Sequence, residues 1–85
     1  MTPIEDAVKV GPVLAAELRA AGVDSLERLR ELGYLEAWRR IHAVNPDRDC
    51  THSCLALAGA IEGRRWMRMP KPWRERVAAE ARAAG

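Results

Sequence analysis

The sequence of 85 residues lacks phenylalanine and contains only one tyrosine and three tryptophans. Its apolar core must therefore come from aliphatic residues and from the tryptophans, which bury roughly 150–250 Å² each. Long hydrophobic runs are also missing, since none approaches the roughly 20 apolar residues that cross a bilayer. The first residues, MTPIEDAV, do not form the basic and then apolar segments of a secretory signal. We expect a soluble, cytoplasmic protein that does not contact a membrane.

Cysteine and histidine are scarce, with two of each. Cys50 and Cys54 flank His52 in DCTHSC, but His42 is the only other histidine and no second cysteine pair completes a four-ligand zinc site. If this segment is helical, the two cysteine Cβ vectors are nearly parallel, which makes a poor disulfide. We expect Cys54 to be a buried apolar residue and Cys50 to lie at a helix end, with no metal bound.

Patterns typical of catalysis are absent as well. The sequence has no nucleophile paired with a histidine and an acid, and no glycine-rich phosphate loop of the Walker type. We therefore predict that the protein is not an enzyme and takes no cofactor. No small-molecule substrate is evident.

What the sequence does contain is a series of helix signals. Hydrophobic residues make up 48% of the chain, and they recur at helical spacing without the two-residue alternation typical of strands. A chain this short buries only about 60–65% of its unfolded surface, so it forms one core. We predict a single all-α domain over residues 1–85, a compact bundle of five or six short helices.

Caps and periodicity place six helices. The first begins with Thr2 and Pro3, and Glu5 completes a capping box. Ser25 caps the third, and Thr51 or Asp49 caps the fifth. The predicted helices with their core residues are the first with Ile4, Ala7 and Val8; Pro12–Ala21 with Val13, Leu14, Leu18 and Ala21; a third up to Gly33 with Leu26, Leu29 and Leu32; Leu35–Val44 with Leu35, Trp38 and Ile41; a fifth that ends near Gly63; and a last from about Pro72 with Trp73, Val77 and Ala81.

The fifth predicted helix, SCLALAGAIEG, is rich in small residues. Gly59 costs about 1 kcal/mol relative to alanine in a helix interior, so a packing reason is expected for it. We predict close approach of another helix at this glycine.

Two glycines, Gly11 and Gly22, each stand next to a predicted helix start in VKVGPVLAAELRAAGVDSLERL. A glycine can adopt a positive φ at no steric cost, and each following helix exposes unpaired N–H groups that favour a phosphate oxygen. Helix-hairpin-helix DNA binders use this arrangement. The segment departs from such hairpins because it has one glycine where they usually have two, and because Pro12 removes a donor N–H.

The hairpin has two interpretations. Residues 1–24 carry two Lys/Arg and four Asp/Glu, a net charge of −2, which argues against phosphate contact. The turn either serves only to pack helices, or Lys9 and Gly11 contact a phosphate or an acidic group of a partner.

The basic segment EGRRWMRMPKPWRER is the second candidate site. Residues 63–85 have a net charge of +5, whereas residues 1–62 have a net charge of −3. Basic residues interleaved with aromatics hold nucleic-acid backbones and stack on bases. Alternatively, Trp66 and Trp73 fill the core while the arginines form a solvated face or pair with the acidic remainder. The candidate contact residues here are Arg64, Arg65, Arg68, Lys71 and Arg74.

Four segments together resemble one known family. They are VGP at residues 10–12, AAGVDSLERLRELG at 20–33, EAWRRIHA at 36–43 and GAIEGRRWMRMP at 59–70. In combination these segments are similar to the C-terminal domain of TfoX, also called Sxy, the bacterial competence regulators. The resemblance implies a compact helical domain of the helix-hairpin-helix or SAM-like kind. In longer relatives this domain follows a separate N-terminal domain, which is absent from this sequence.

The resemblance also implies a role with transcription factors on competence genes, and it carries over no catalytic residues. The first functional hypothesis is therefore an interaction module in transcriptional regulation that binds a partner protein or a second copy of itself. The alternative is weak, largely sequence-independent binding of nucleic acid through the hairpin turn or residues 64–76.

Overall fold

The computed structural model describes residues 1–84 of the chain. This part contains five α-helices and two 3₁₀ turns, joined by short connecting segments. The all-α prediction is confirmed, because these residues contain no strand beyond an isolated bridge between Pro3 and Ser25. None of the helices in this range has the length and apolar character needed to span a bilayer. The helices are α1 (Pro12–Ala20), α2 (Leu26–Leu32), α3 (Tyr34–Val44), α4 (Cys50–Glu62) and α5 (Lys71–Ala84), and the 3₁₀ turns are Ile4–Asp6 and Trp66–Arg68.

Helix α1 ends as its glycine predicts. Gly22 has φ +86°, and its N–H donates to the Arg19 carbonyl at 3.0 Å. The next N–H, from Val23, donates to the Leu18 carbonyl at 2.7 Å. This pair of bonds satisfies carbonyls that the end of a helix leaves free, and the fully buried Leu18 and Val23 side chains accompany it. The same pair of bonds closes α4 around Gly63, where φ is +73°.

Two predicted N-caps are also present. The Ser25 hydroxyl oxygen accepts a hydrogen bond from the Arg28 N–H at 3.1 Å and caps α2. At α4 the cap is Asp49, one of the two predicted candidates, whose carboxylate accepts from the Thr51 N–H at 3.2 Å. Each cap satisfies one of the N–H groups that have no partner inside the helix.

The predicted capping box at the N-terminus is wrong. The first helix is only the 3₁₀ turn Ile4–Asp6, and no side chain caps it. The backbone of Thr2 bonds to α2 instead, because its N–H donates to the Glu27 carboxylate at 2.8 Å and its carbonyl accepts from Leu26 at 2.9 Å. The N-terminal segment is thus fixed by the start of α2 rather than by its own residues.

The expected positive φ at Gly11 is wrong as well. Gly11 is extended, with φ −80° and ψ 177°, and is the N-cap of α1 without a side-chain bond. The residue with a positive φ is Lys9, at 62°. A side chain in this region costs about 1–2 kcal/mol. The chain reverses two residues earlier than predicted, and Val10 is then buried ahead of α1.

Helix α4 lies in the centre of the fold. It packs against α2, α3, α5 and the turn Trp66–Arg68, while α1 packs against α3 and the turn Ile4–Asp6. Val13, predicted to be in the core, is 69% exposed. Leu14 and Leu18 face the core from α1, and Val13 lies about 100° around the helix from Leu14. The largest fully buried side chains are Ile4, Leu18, Val23, Leu29, Ile41, Cys54, Leu57 and Val77.

Gly59 in α4 has the packing role that the sequence predicts, with a different partner. A Cβ atom built on Gly59 would lie 2.8 Å from the Arg64 carbonyl oxygen and 3.0 Å from the Trp66 amide nitrogen. The close neighbour is therefore the backbone that follows α4, and not another helix. A side chain at residue 59 would displace the segment that leads into α5.

The Tyr34 hydroxyl is buried and has no hydrogen-bond partner among the described residues. Burial raises the pKa of Tyr34 to about 12, and the Glu80 carboxylate, which lies near the hydroxyl but outside hydrogen-bond geometry, adds to the effect. An unpaired buried hydroxyl costs about 1–3 kcal/mol of desolvation free energy. Tyr34→Phe removes this hydroxyl and leaves no partner group unpaired. We therefore expect Tyr34→Phe to keep or increase the free energy of unfolding in urea titrations. A loss above about 1 kcal/mol would show that the hydroxyl has a partner.

Candidate functional site

The segment between α4 and α5, residues 63–70, is called here the arginine turn. Its backbone is held in place at both ends. The Arg64 N–H donates to the Gly59 carbonyl at 3.0 Å, and the Met69 N–H donates to the Trp66 carbonyl at 3.1 Å. These bonds, with the close contact at Gly59, give the turn one defined shape.

Three guanidinium groups project from the arginine turn without a carboxylate partner. Arg64, Arg65 and Arg68 are exposed and form no ion pair within residues 1–84. Met67 lies among them and is 50% exposed. Trp66 is half-buried against the core, as the structural interpretation predicts. The surface therefore combines positive charge with an exposed apolar side chain.

The other two predicted contact residues, Lys71 and Arg74, have partners within the protein. Lys71 pairs with Glu75 at 3.7 Å. The Arg74 Nε donates to the Met69 carbonyl at 3.1 Å, so this half-buried arginine holds the end of the arginine turn. Trp73 is half-buried against the core. Of the five residues predicted for this segment, three remain free to contact a partner.

A fourth cation, Arg30 on α2, extends this surface and was missed from the sequence. Its Nε donates to the Ile61 carbonyl at 3.1 Å, in the last turn of α4. A cation at the C-terminal end of a helix interacts favourably with the helix dipole. The two residues are 31 positions apart, and no local pattern marks such a pair.

The helix hairpin offers less than the arginine turn. Lys9 is exposed and forms no ion pair in the described chain, and Gly11 is exposed beside it. The nearest basic residue along the chain, Arg19, is bound by Glu5. This hydrogen bond lowers the pKa of Glu5 to about 2. Lys9 is thus the one lysine or arginine side chain without an ion pair among residues 1–24.

A mostly buried ion pair, Glu17–Arg48, was also missed from the sequence. The Arg48 Nε donates to the Glu17 carboxylate at 2.9 Å, and Asn45 donates to the same oxygen at 3.4 Å. The two side chains are 10% and 22% exposed. The hydrogen bond from Arg48 lowers the pKa of Glu17. This pair ties the loop at residues 45–49 to α1.

The family model described as the TfoX C-terminal domain matches residues 2–81. The chain belongs to the TfoX C-terminal domain family. A search of curated proteins finds no match. Among solved structures, this TfoX-type domain is similar to an uncharacterized protein from Listeria monocytogenes, a triclinic crystal form. The TM-score is 0.87 at 24% identity, over 96% of this chain and 92% of that chain.

The match to the Listeria structure shows the fold alone, and family membership shows a small helical domain of the TfoX type. Neither comparison assigns a role to individual residues. The arginine turn is nevertheless part of GAIEGRRWMRMP, one of the segments that carry the resemblance to TfoX.

The two cysteines of this TfoX-type domain lie as predicted. Cys54 is fully buried, and burial raises the pKa of its thiol to about 12. Cys50 is the first residue of α4, and its thiol donates to the Ala81 carbonyl at 3.1 Å. Both are free cysteines. Within residues 1–84 no three histidine, cysteine or acidic side chains converge as a metal site would require.

A cleft of about 410 Å³ opens between α3, the start of α4 and the end of α5. No local pattern in the sequence marks this cleft, because its wall combines residues from α3, α4 and α5 with Arg48 from the loop before α4. The residues that line it are Trp38, Arg39, His42, Arg48, Cys50 and Ala84.

Proposed function

We propose that this TfoX-type domain is a non-enzymatic interaction module that binds an acidic surface of a partner protein in transcriptional regulation. Membership of the TfoX family supports the regulatory role. The proposal that competence genes are the regulated genes depends on this family membership alone. The observation that carries the proposal is the arginine turn, where Arg64, Arg65 and Arg68 lack carboxylate partners around the exposed Met67.

The composition of the arginine turn suits a protein partner. Arginine, methionine and tryptophan are enriched in protein interfaces relative to the rest of protein surfaces. A guanidinium binds a carboxylate through two parallel hydrogen bonds, and Met67 adapts its shape to an apolar partner residue. Because the backbone of the turn is already fixed, binding costs little backbone conformational entropy.

Nucleic-acid binding through the same turn is the second candidate, favoured by the same three unpaired arginines. Three phosphate contacts give a log–log salt slope of about −2.7 on duplex DNA. Strong binders make more contacts, and residues 1–62 have a net charge of −3 that opposes a polyanion. Lys71 and Arg76, which would add contacts, are paired with Glu75 and Glu80. A local acidic patch on a protein meets mainly the arginine turn, whereas an extended polyanion also meets the acidic remainder, so these charges favour a protein partner.

The proposal is tested with one triple variant, in which Arg64, Arg65 and Arg68 are each replaced by glutamine. The matched control replaces by glutamine three arginines that already have carboxylate partners and lie outside the arginine turn and the cleft, Arg19, Arg28 and Arg40, so that the net charge changes equally. The probes are a fluorescent peptide of alternating glutamate and leucine and a duplex DNA of random sequence, both followed by anisotropy.

We expect the peptide to bind the native domain, and the turn variant to bind it at least about tenfold more weakly, since three charge-assisted contacts are lost. The control variant should bind as the native domain does. Equal binding by the turn variant and the control would contradict the proposal. Tighter binding of DNA than of the peptide, with a slope near −2.7, would favour the second candidate instead.

A further inference from the structure

The cleft between α3, α4 and α5 takes no part in the proposed function, since none of its lining residues belongs to the arginine turn. Its volume of about 410 Å³ lies in the range of roughly 300–1,000 Å³ that is typical of pockets for small molecules. It is large enough for an organic molecule and not merely for a single ion.

The charged residues in the cleft wall are all basic. They are Arg39 on α3 and Arg48 before α4, together with the imidazole of His42, and no carboxylate lines the space. Arg48 is held by Glu17 and by the Ser53 hydroxyl, so its guanidinium has a fixed position.

Arg39 keeps most of its hydrogen-bonding capacity. It makes one hydrogen bond, from NH1 to the Glu36 carboxylate at 2.8 Å. A guanidinium has five N–H donors in a planar fork, so the remaining donors of Arg39 are free for a ligand. The contact with Glu36 restricts the conformations of the Arg39 side chain and leaves the other edge of its guanidinium group free.

His42 provides the second free polar group. Its ring is exposed and lies 5.0 Å from the ring of Trp38, measured between centroids. Within residues 1–84 neither of its ring nitrogens has a hydrogen-bond partner, in contrast to His52, which contacts Asp49 at 2.8 Å. The Cys50 thiol is occupied by the Ala81 carbonyl. Arg39 and His42 are therefore the groups that a ligand meets with free donors.

We propose that this cleft binds a small organic anion, whose carboxylate or phosphate group lies between Arg39 and His42. Arg39 donates to two oxygens of the anion. An imidazole N–H of His42 donates to one of these oxygens or, in a phosphate, to a third oxygen. The remainder of the molecule fills the space beside Trp38 and Ala84, which form the apolar part of the wall.

Backbone ¹H–¹⁵N NMR spectra of the native domain test this proposal with four probes. Inorganic phosphate provides the anion alone, AMP and benzoate provide a phosphate and a carboxylate on a planar body, and adenosine provides a neutral body. Arg39→Gln and His42→Gln remove the two donors. Arg28→Gln is the control, because Arg28 is a helical arginine outside the cleft with a glutamate partner three residues away.

We expect saturable shifts at the amides of residues 38–42 and 48–50 with AMP or benzoate, weaker shifts with phosphate, and none with adenosine. Each cleft variant should raise the dissociation constant at least about fivefold, as expected for one charge-assisted contact. Arg28→Gln should leave it unchanged. The proposal is overturned if no organic anion gives saturable shifts in the cleft, if adenosine shifts it equally, or if both cleft variants bind as the native domain does.

Discussion

Replacing Glu17 by alanine is expected to lower the free energy of unfolding by about 3 kcal/mol, because it leaves the mostly buried Arg48 without its carboxylate. Glu17 accepts hydrogen bonds from both Arg48 and Asn45, so its loss also releases the loop at residues 45–49. A domain of this size has a total stability of only about 4–13 kcal/mol. Urea denaturation of the variant measures the change directly.

The exposed pair Glu5–Arg19 serves as the control for Glu17. Both of its side chains are 46% exposed, and such pairs contribute about 0–1 kcal/mol. Glu5→Ala should therefore destabilise the domain clearly less than Glu17→Ala does. The double variant Glu17→Ala, Arg48→Ala should recover part of the loss, because no charge is left buried and unpaired. Equal losses for Glu17→Ala and Glu5→Ala would contradict the importance of burial.

Acid titration gives a second measurement on the Glu17 pair. The folded state lowers the pKa of Glu17 below its ordinary value of 4.5 through Arg48. The unfolded chain therefore binds more protons between the folded and unfolded pKa values, and the stabilisation present above pH 4.5 is lost as the pH falls through the folded value. The Glu17→Ala variant should show a smaller loss of stability over this acidic range.

Gly59→Ala is expected to destabilise the domain by about 1–3 kcal/mol, although alanine is the better helix former by about 1 kcal/mol. The added methyl group would lie 2.8 Å from the Arg64 carbonyl oxygen, and backbone atoms cannot move aside as a flexible side chain can. Thermal and urea unfolding measure the loss. Tryptophan fluorescence reports whether Trp66, whose Cβ lies 3.1 Å from the added methyl group, is displaced.

Whether Gly59→Ala lowers or raises the free energy of unfolding tests the close contact between α4 and the arginine turn. Ala79→Gly, at an exposed position within α5, measures the intrinsic cost of glycine in a helix and should lower stability by about 1 kcal/mol. If residue 59 had open space, Gly59→Ala would raise stability by a similar amount. An increase would thus show that the arginine turn does not press against α4.

Helix ends were the part of the fold that sequence chemistry predicted best. Ser25 and Asp49 have side chains that bond to helix N–H groups, and Gly22 and Gly63 permit the left-handed residue that ends a helix. These effects act within a few residues and leave a readable local pattern. Gly59 was predicted for a related reason, since a glycine inside a helix requires a close neighbour.

Features that depend on the tertiary arrangement could not be predicted. Glu17 and Arg48 are 31 residues apart, and isolated charges at that separation form no periodic signal. A positive φ is expected at Gly11 because glycine adopts it at no cost, whereas the structure has it at Lys9, a residue type that carries no local signal for it. Of the candidate contact residues, the sequence located the basic segment but could not separate the free Arg64 from Arg74, which donates to the Met69 carbonyl.

The central position of α4 has a consequence for how the domain loses its structure. Helices α2, α3 and α5 each cover a different part of α4, so detaching any of them uncovers apolar residues that the others cannot shield. Unfolding of one helix therefore exposes apolar residues of α4 to water, and the conformational entropy gained by that one helix does not offset this cost. We expect an all-or-none transition, in which the fold has no semi-independent half that survives alone.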